Sequence, residues 1–63
     1  MFKNEDAAYW LANYAERVQE LADRTGQSIY QVAKDLGYIA GDHADMPDAD
    51  VLETFSGDHG LSA

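Results

Sequence analysis

Several residue types that small proteins use for stability or anchoring are missing from this chain of 63 residues. It contains no cysteine, which excludes disulfide bonds and a zinc site built on thiolates. No run approaches the roughly 18 consecutive apolar residues that cross a bilayer. The N-terminus has no basic stretch leading into an apolar one, so no secretory signal is predicted. We therefore expect a cytoplasmic protein that relies on helix packing, helped by a partner or a second copy.

Basic residues are also scarce, and all of them lie in the front half of the chain. Four Lys and Arg face twelve Asp and Glu, for a net charge of −8. Residues 1–34 contain all four bases and five acids, whereas residues 35–63 contain seven acids and no Lys or Arg. The second half should therefore repel nucleic acid and anionic membranes and attract basic protein surfaces.

The residues that are present favour an all-α fold in one small domain. Hydrophobic residues make up 46 % of the chain, too many for a disordered one. Apolar residues recur at helical spacing in three segments, which predict a long first helix over about 5–25, a second over about 28–36 and a short third over about 48–56. Residues 57–63 are expected to form a frayed tail. The predicted core comprises Leu11, Tyr14, Val18, Leu21, Ile29, Val32, Leu36, Val51, Leu52 and Phe55.

Capping residues support these boundaries. Asn4 suits the N-cap of the first helix and Gly26 its left-handed end. Ser28 opens the second helix as the first residue of a capping box, and Gly37 is expected to end it. Asp48 suits the N-cap of the third helix.

The segment from Leu21 to Leu36 resembles the helix-turn-helix of bacterial transcription regulators. Ala22 occupies the close crossing of the two helices, Gly26 the turn, and Val32 the buried side of the second helix. The resemblance implies that the following residues would face the DNA major groove: Ser28, Tyr30, Gln31 and Lys34. Two features depart from the family: the helix before the turn is about twice the usual length, and few bases are available for phosphates. A purely structural corner is the alternative.

Metal binding and catalysis find little support. The tripeptide Gly-Asp-His occurs at 41–43 and 57–59, and two imidazoles with nearby Asp45, Asp48 and Asp50 could hold a divalent ion. The simpler interpretation is that the glycines end helices or turns. No serine adjoins a histidine, and no glycine-rich phosphate loop is present. We expect no enzymatic activity, no cofactor and no metal.

The exposed side of the first helix carries an acidic ridge, which we define as Glu5, Tyr9, Asn13, Glu16 and Glu20. These residues fall within about 80° of one another on a helical wheel. An ordinary solvated face would account for the ridge, but together with the acidic second half it indicates an electrostatic role. The predicted partner-binding residues are Glu5, Tyr9, Glu16, Glu20, Asp42, Asp45, Asp48, Asp50 and Glu53.

The leading hypothesis is a small acidic inhibitor of the kind that phages and plasmids use against host machinery. Its carboxylates would mimic a nucleic-acid backbone and occupy the basic groove of a nuclease, CRISPR effector, polymerase or repressor. The alternative is a helix-turn-helix regulator that uses Leu21–Leu36 and dimerises through Trp10 and Tyr14. A third hypothesis is an antitoxin or assembly subunit that binds a basic protein by its apolar side.

Overall fold

The computed structural model describes residues 3–61, which form four helices and no strand. The helices are α1 (Ala7–Asn13), α2 (Ala15–Thr25), α3 (Ile29–Asp42) and α4 (Asp48–Asp58). α3 is the central element and packs against each of the other three. The predicted all-α class is confirmed, with four helices where three were expected. None of the helices in residues 3–61 combines the length and apolar composition that crossing a bilayer requires.

The single first helix predicted for residues 5–25 is wrong, because the chain changes direction at Tyr14. This residue has φ −133° and ψ 37°, outside the helical range, and it separates α1 from α2. An unbroken helix of twenty residues would be about 30 Å long, as long as the largest dimension of the molecule, 29 Å. The break lets α1 and α2 both pack against α3, which a straight helix could not achieve.

The second predicted helix is also longer than expected, since α3 continues through Gly37 to Asp42. Gly37 is buried, and a Cβ atom at this position would lie only 2.7 Å from the backbone oxygen of Glu5. Gly37 therefore does not end the helix. Its missing side chain allows the segment before α1 to lie directly on α3.

The core is built around Trp10, which is fully buried and donates its indole N–H to the backbone oxygen of Asn4 at 2.5 Å. Six of the predicted core residues are fully buried: Val18, Leu21, Val32, Leu36, Val51 and Phe55. Ile29 is 39 % exposed, so its assignment to the core is wrong. Three more lie half-buried at the edge: Leu11, Tyr14 and Leu52. The predicted core list omitted four residues that are buried: Trp10, Ala22, Ala33 and Ala40.

Some of the capping predictions hold and others do not. Gly26 has the left-handed φ of 73°, and the Ser28 hydroxyl accepts the backbone N–H of Gln31 at 3.0 Å, as predicted. Asp6, and not Asn4, occupies the N-cap position of α1. Pro47 occupies that of α4, so Asp48 is the first helical residue instead of the cap.

The last helix continues beyond its predicted end at about residue 56. α4 extends to Asp58, and Gly60 adopts the left-handed φ of 66° after it. The backbone N–H of Leu61 donates to the oxygen of Ser56 at 2.8 Å, and the Leu61 side chain packs on the core. Fraying of residues 57–63 stays a prediction, and residues 62 and 63 lie outside the described residues.

Candidate functional site

Among residues 3–61, the polar side chain with the most side-chain hydrogen bonds is that of Asp48, in the first turn of α4. Its carboxylate accepts hydrogen bonds from the hydroxyls of Tyr9 at 2.5 Å and Tyr14 at 2.8 Å, and from the Asn4 amide at 3.1 Å. The two phenol rings are themselves packed on Trp10, with ring centroids 5.6 and 5.0 Å away. The cluster joins the segment before α1, the break at Tyr14 and the start of α4.

These hydrogen bonds shift the ionisation of all three titratable groups. The hydrogen bond to Asp48, helped by burial, raises the pKa of Tyr14 from 10.0 to about 12. The hydrogen bond that the Tyr9 hydroxyl donates to Asp48 likewise raises the pKa of Tyr9. Burial alone would raise the pKa of Asp48, but the bonds from Tyr9, Tyr14 and Asn4 outweigh it and lower that pKa below 3.8. At neutral pH the cluster is therefore one carboxylate that accepts hydrogen bonds from two neutral phenols. This arrangement suits a structural role, in which the cluster holds the segments together, and not proton transfer.

Two residues of the acidic ridge differ in environment from the prediction. Tyr9 was expected to be an exposed aromatic, but it is half-buried and bonded to Asp48. The helical wheel that aligned Glu5 and Tyr9 with Glu16 and Glu20 does not apply across the break at Tyr14. Helical spacing therefore no longer supports the acidic ridge as one continuous surface.

The second half of the predicted ridge is occupied in local interactions. Glu20 pairs with Arg17 one turn earlier on α2. Glu16 lies in the first turn of α2, where a negative charge is favourable to the helix dipole. Both are exposed, and Glu16 follows Tyr14 of the Asp48 cluster by two residues.

Other predicted carboxylates are brought together by the fold. The backbone of Glu5 lies on Gly37, and its Cβ would be 3.7 Å from a Cβ at Gly41, next to Asp42. The Asn4–Asp48 hydrogen bond brings the start of α4 to the same place. We call the exposed carboxylates that flank these contacts along the chain the acidic end: Glu5, Asp6, Asp42, Asp45 and Asp50. Within residues 3–61 the only ion pair is Arg17–Glu20, so none of these five is paired with a base.

Glu53 belongs to a different surface. It lines an open groove of about 460 Å³ between α2 and α4, together with two of the four bases of the chain, Arg17 and Arg24. Leu52 and Leu61 supply apolar lining. The predicted set of partner-binding residues is thus divided between the acidic end, the Asp48 cluster, α2 and this groove.

The corner between α2 and α3 contains the residues on which the helix-turn-helix resemblance rests. Ala22 is buried, Gly26 is left-handed, and α2 has 11 residues, so the helix before the turn is shorter than the sequence predicted. Of the proposed base-reading side chains, Gln31 donates to Asp35 at 3.0 Å, and the Lys34 ammonium lies 6.0 Å from the centre of the Tyr30 ring. These two side chains are therefore engaged within α3 itself.

The two Gly-Asp-His tripeptides have equivalent positions at helix ends. Asp42 ends α3 with His43 at the C-cap, and Asp58 ends α4 with His59 at the C-cap. The His59 ring stacks on Phe55 with centroids 4.1 Å apart. In the described part of the chain no group of three or more His, Asp and Glu side chains is placed to hold a metal ion.

Comparison with protein-family models, with curated proteins and with solved structures gives no match to this chain, so no family or site residue is transferred to it.

Tyr38 was not among the predicted partner-binding residues, because it lies beyond the predicted end of the second helix at about residue 36. It is 67 % exposed on the outer side of α3, because the helix continues beyond Gly37. The signal was present in the sequence, since Ala40 continues the helical spacing of Val32 and Leu36.

Proposed function

We propose that this protein binds another protein by placing its acidic end on a basic surface of that partner. The proposal is carried by contacts that bring together three chain segments bearing five exposed carboxylates: Glu5 lies on Gly37 and Gly41, and Asn4 bonds to Asp48. None of the five carboxylates pairs with a base among residues 3–61. Opposed charge patches accelerate association and select against partners of the wrong sign.

The fold itself has little use for several of these charges. Asp42 lies at the C-terminal end of α3, where the helix dipole disfavours a negative charge by about 0.3–1 kcal/mol. Asp45 lies in the loop that follows, and Glu5 precedes α1. Asp6 and Asp50 are exceptions, since the N-cap of α1 and the first turn of α4 both favour an acid. A basic partner would relieve both the unfavourable dipole interaction and the mutual repulsion of the carboxylates.

The kind of partner that fits is a protein whose basic groove normally holds a nucleic-acid backbone. Such grooves present several Lys or Arg side chains spaced to meet phosphates, and clustered carboxylates can substitute for those phosphates. A nuclease, CRISPR effector, polymerase or repressor would offer such a surface. In that case the nucleic acid and this protein compete for the same site.

The experiment compares capture of partners from the native host by the parent and by two variants of equal charge. One variant is Asp42→Asn with Asp45→Asn at the acidic end, and the other is Glu16→Gln with Glu20→Gln on α2. Each pair removes the same amount of negative charge, so a difference between them reports position and not net charge. Asp48 is left unchanged because it holds the fold together.

We expect a partner that the parent and the α2 variant retain, and that the acidic-end variant releases. Its association rate should fall as salt rises, because the screening length is only about 10 Å at 0.1 M ionic strength. Added nucleic acid should displace this protein from the partner. A partner held equally by both variants, with no dependence on salt, would show that the acidic end is not the binding surface.

A DNA-binding regulator remains the second candidate, because the break at Tyr14 leaves α2 at an ordinary length for a helix-turn-helix. The carboxylates next to the corner between α2 and α3, and the scarcity of bases to contact phosphates, argue against DNA binding. We expect no electrophoretic shift of the DNA flanking the gene at about 150 mM salt. A shift that persists at this salt and is lost in Gln31→Ala would favour the regulator.

A further inference from the structure

Two exposed tyrosines on the outer face of α3 differ in their surroundings. Tyr30 is 60 % exposed and Tyr38 67 % exposed, and Lys34 lies between them at helical spacing. The Lys34 ammonium lies over the Tyr30 ring, 6.0 Å from its centre. Within residues 3–61 no cation lies over the Tyr38 ring, so its face is open to a ligand.

The side chains next to Tyr38 belong to the acidic end. Asp42 follows Tyr38 by four residues on α3, which places their Cβ atoms about 5–6 Å apart. Gly41, one turn after Tyr38, is the residue against which the Glu5 side chain lies. Tyr38 thus presents an open aromatic face beside two unpaired carboxylates, Glu5 and Asp42.

This combination suits a guanidinium group better than an ammonium group. A guanidinium is planar, so it stacks on an aromatic ring while its N–H groups form paired hydrogen bonds with a carboxylate. A lysine ammonium can pair with the carboxylate but has no plane to stack on the ring. On the same face, the Lys34 ammonium lies within cation–π range of the Tyr30 ring.

We propose that the acidic end binds an arginine-bearing segment of its protein partner, with one guanidinium stacked on Tyr38 and paired with Asp42. This inference rests on the proposed function, since it specifies the partner of the same surface. It assigns the aromatic contact to Tyr38, whereas Tyr9 is the one tyrosine that the sequence analysis placed among the partner-binding residues.

The test uses two labelled peptides of equal length and charge, one of alternating glycine and arginine and one of alternating glycine and lysine. Binding to the full chain is measured by fluorescence anisotropy at low ionic strength. We expect the parent to prefer the arginine peptide. Tyr38→Ala should weaken arginine-peptide binding about 3- to 10-fold and change lysine-peptide binding much less.

Two further variants serve as matched controls. Tyr38→Phe retains the aromatic face and should bind like the parent. Tyr30→Ala removes an equally exposed ring whose face is already occupied by Lys34, so its effect should be less than about twofold. The preference of the parent for arginine needs no variant, so it tests the inference even if Tyr38→Ala fails to fold.

The outcomes separate this inference from the proposed function. Equal affinity of the parent for both peptides would overturn the role of Tyr38. If Asp42→Asn with Asp45→Asn still weakened the binding of both peptides, the acidic end would remain the binding surface. Failure of the parent to bind either peptide would overturn both proposals.

Discussion

The replacement Gly37→Ala tests how the segment before α1 is seated on α3. Glycine is a poor residue for a helix interior, so an alanine in its place normally stabilises a helix by about 1 kcal/mol. At this position the added Cβ would lie 2.7 Å from the backbone oxygen of Glu5 and 3.2 Å from its carbonyl carbon. Because both neighbours are backbone atoms, they cannot rotate away as a flexible side chain would.

We therefore expect Gly37→Ala to destabilise the protein, whereas replacing a helical glycine by alanine normally stabilises it. Forcing extra volume into a packed contact typically costs about 1–3 kcal/mol, and the gain in helix propensity offsets part of it. We expect Gly37→Ala to lower the free energy of unfolding by about 1–2 kcal/mol. For a domain of this size that corresponds to a fall in Tm of roughly 4–15 °C.

Thermal unfolding followed by circular dichroism measures the change, and two other glycines serve as controls. A Cβ at Gly57 meets nothing within 4 Å, and one at Gly41 makes an ordinary contact of 3.7 Å. Both lie in helices at negative φ, so Gly57→Ala and Gly41→Ala should raise stability by up to about 1 kcal/mol. If Gly37→Ala raised Tm as these controls do, the Glu5 segment would not lie on α3 and the composition of the acidic end would be wrong.

The remaining predictions concern the Asp48 cluster and the core. Asp48→Asn should lower the free energy of unfolding by about 1–3 kcal/mol at neutral pH, because three donors lose an ionised acceptor. The lowered pKa of Asp48 stabilises the parent above pH 3.8, and this stabilisation should be lost as pH falls through the folded-state pKa. Asp48→Asn has no such carboxyl group and should lack this dependence on pH. Acid titrations of both proteins would check the difference. The raised pKa of Tyr14 predicts that the parent loses stability between pH 10.0 and about 12, because the unfolded chain releases the phenolic proton first. Denaturant titrations should show a smaller loss for Tyr14→Phe, which keeps only the contribution from the raised pKa of Tyr9. Trp10→Ala should cost about 3–5 kcal/mol, nearly all of the ~5 kcal/mol such a domain has, and a chain with unchanged helicity and Tm would contradict the core described above.

Sequence alone determined the features of this protein that depend on neighbouring residues. The corner at Gly26 and Ser28 followed from local backbone chemistry, since a left-handed glycine and a hydroxyl cap act within a few residues. The apolar stripes that place Val18, Leu21 and Val32 in the core followed from helical spacing. The excess of negative charge in residues 35–63 is a property of composition, so no fold was needed to see it.

The candidate site depended on contacts between distant parts of the chain. Asp48 lies 39 and 44 residues from Tyr9 and Asn4, and no local pattern indicates that its carboxylate is held by them. Sequence therefore grouped Asp48 and Tyr9 with the solvent-exposed binding residues. It did include Glu5, Asp42, Asp45 and Asp50 among the predicted partner-binding residues, but it did not indicate that Glu5 would lie against Gly41, next to Asp42.

Only the tertiary structure decided how the helices are divided and where the acidic end forms. The break at Tyr14 is unfavourable to local helix geometry, and it occurs because two short helices cover α3 better than one long helix. Gly37 resembles a helix stop in the sequence, and only the approach of Glu5 reveals it as a packing position inside α3. With α3 extended past Gly37, Tyr38 moves from a predicted loop to the helix face beside Asp42. Long-range packing sets these positions, because its energy exceeds the local preferences of about 1 kcal/mol that sequence patterns report.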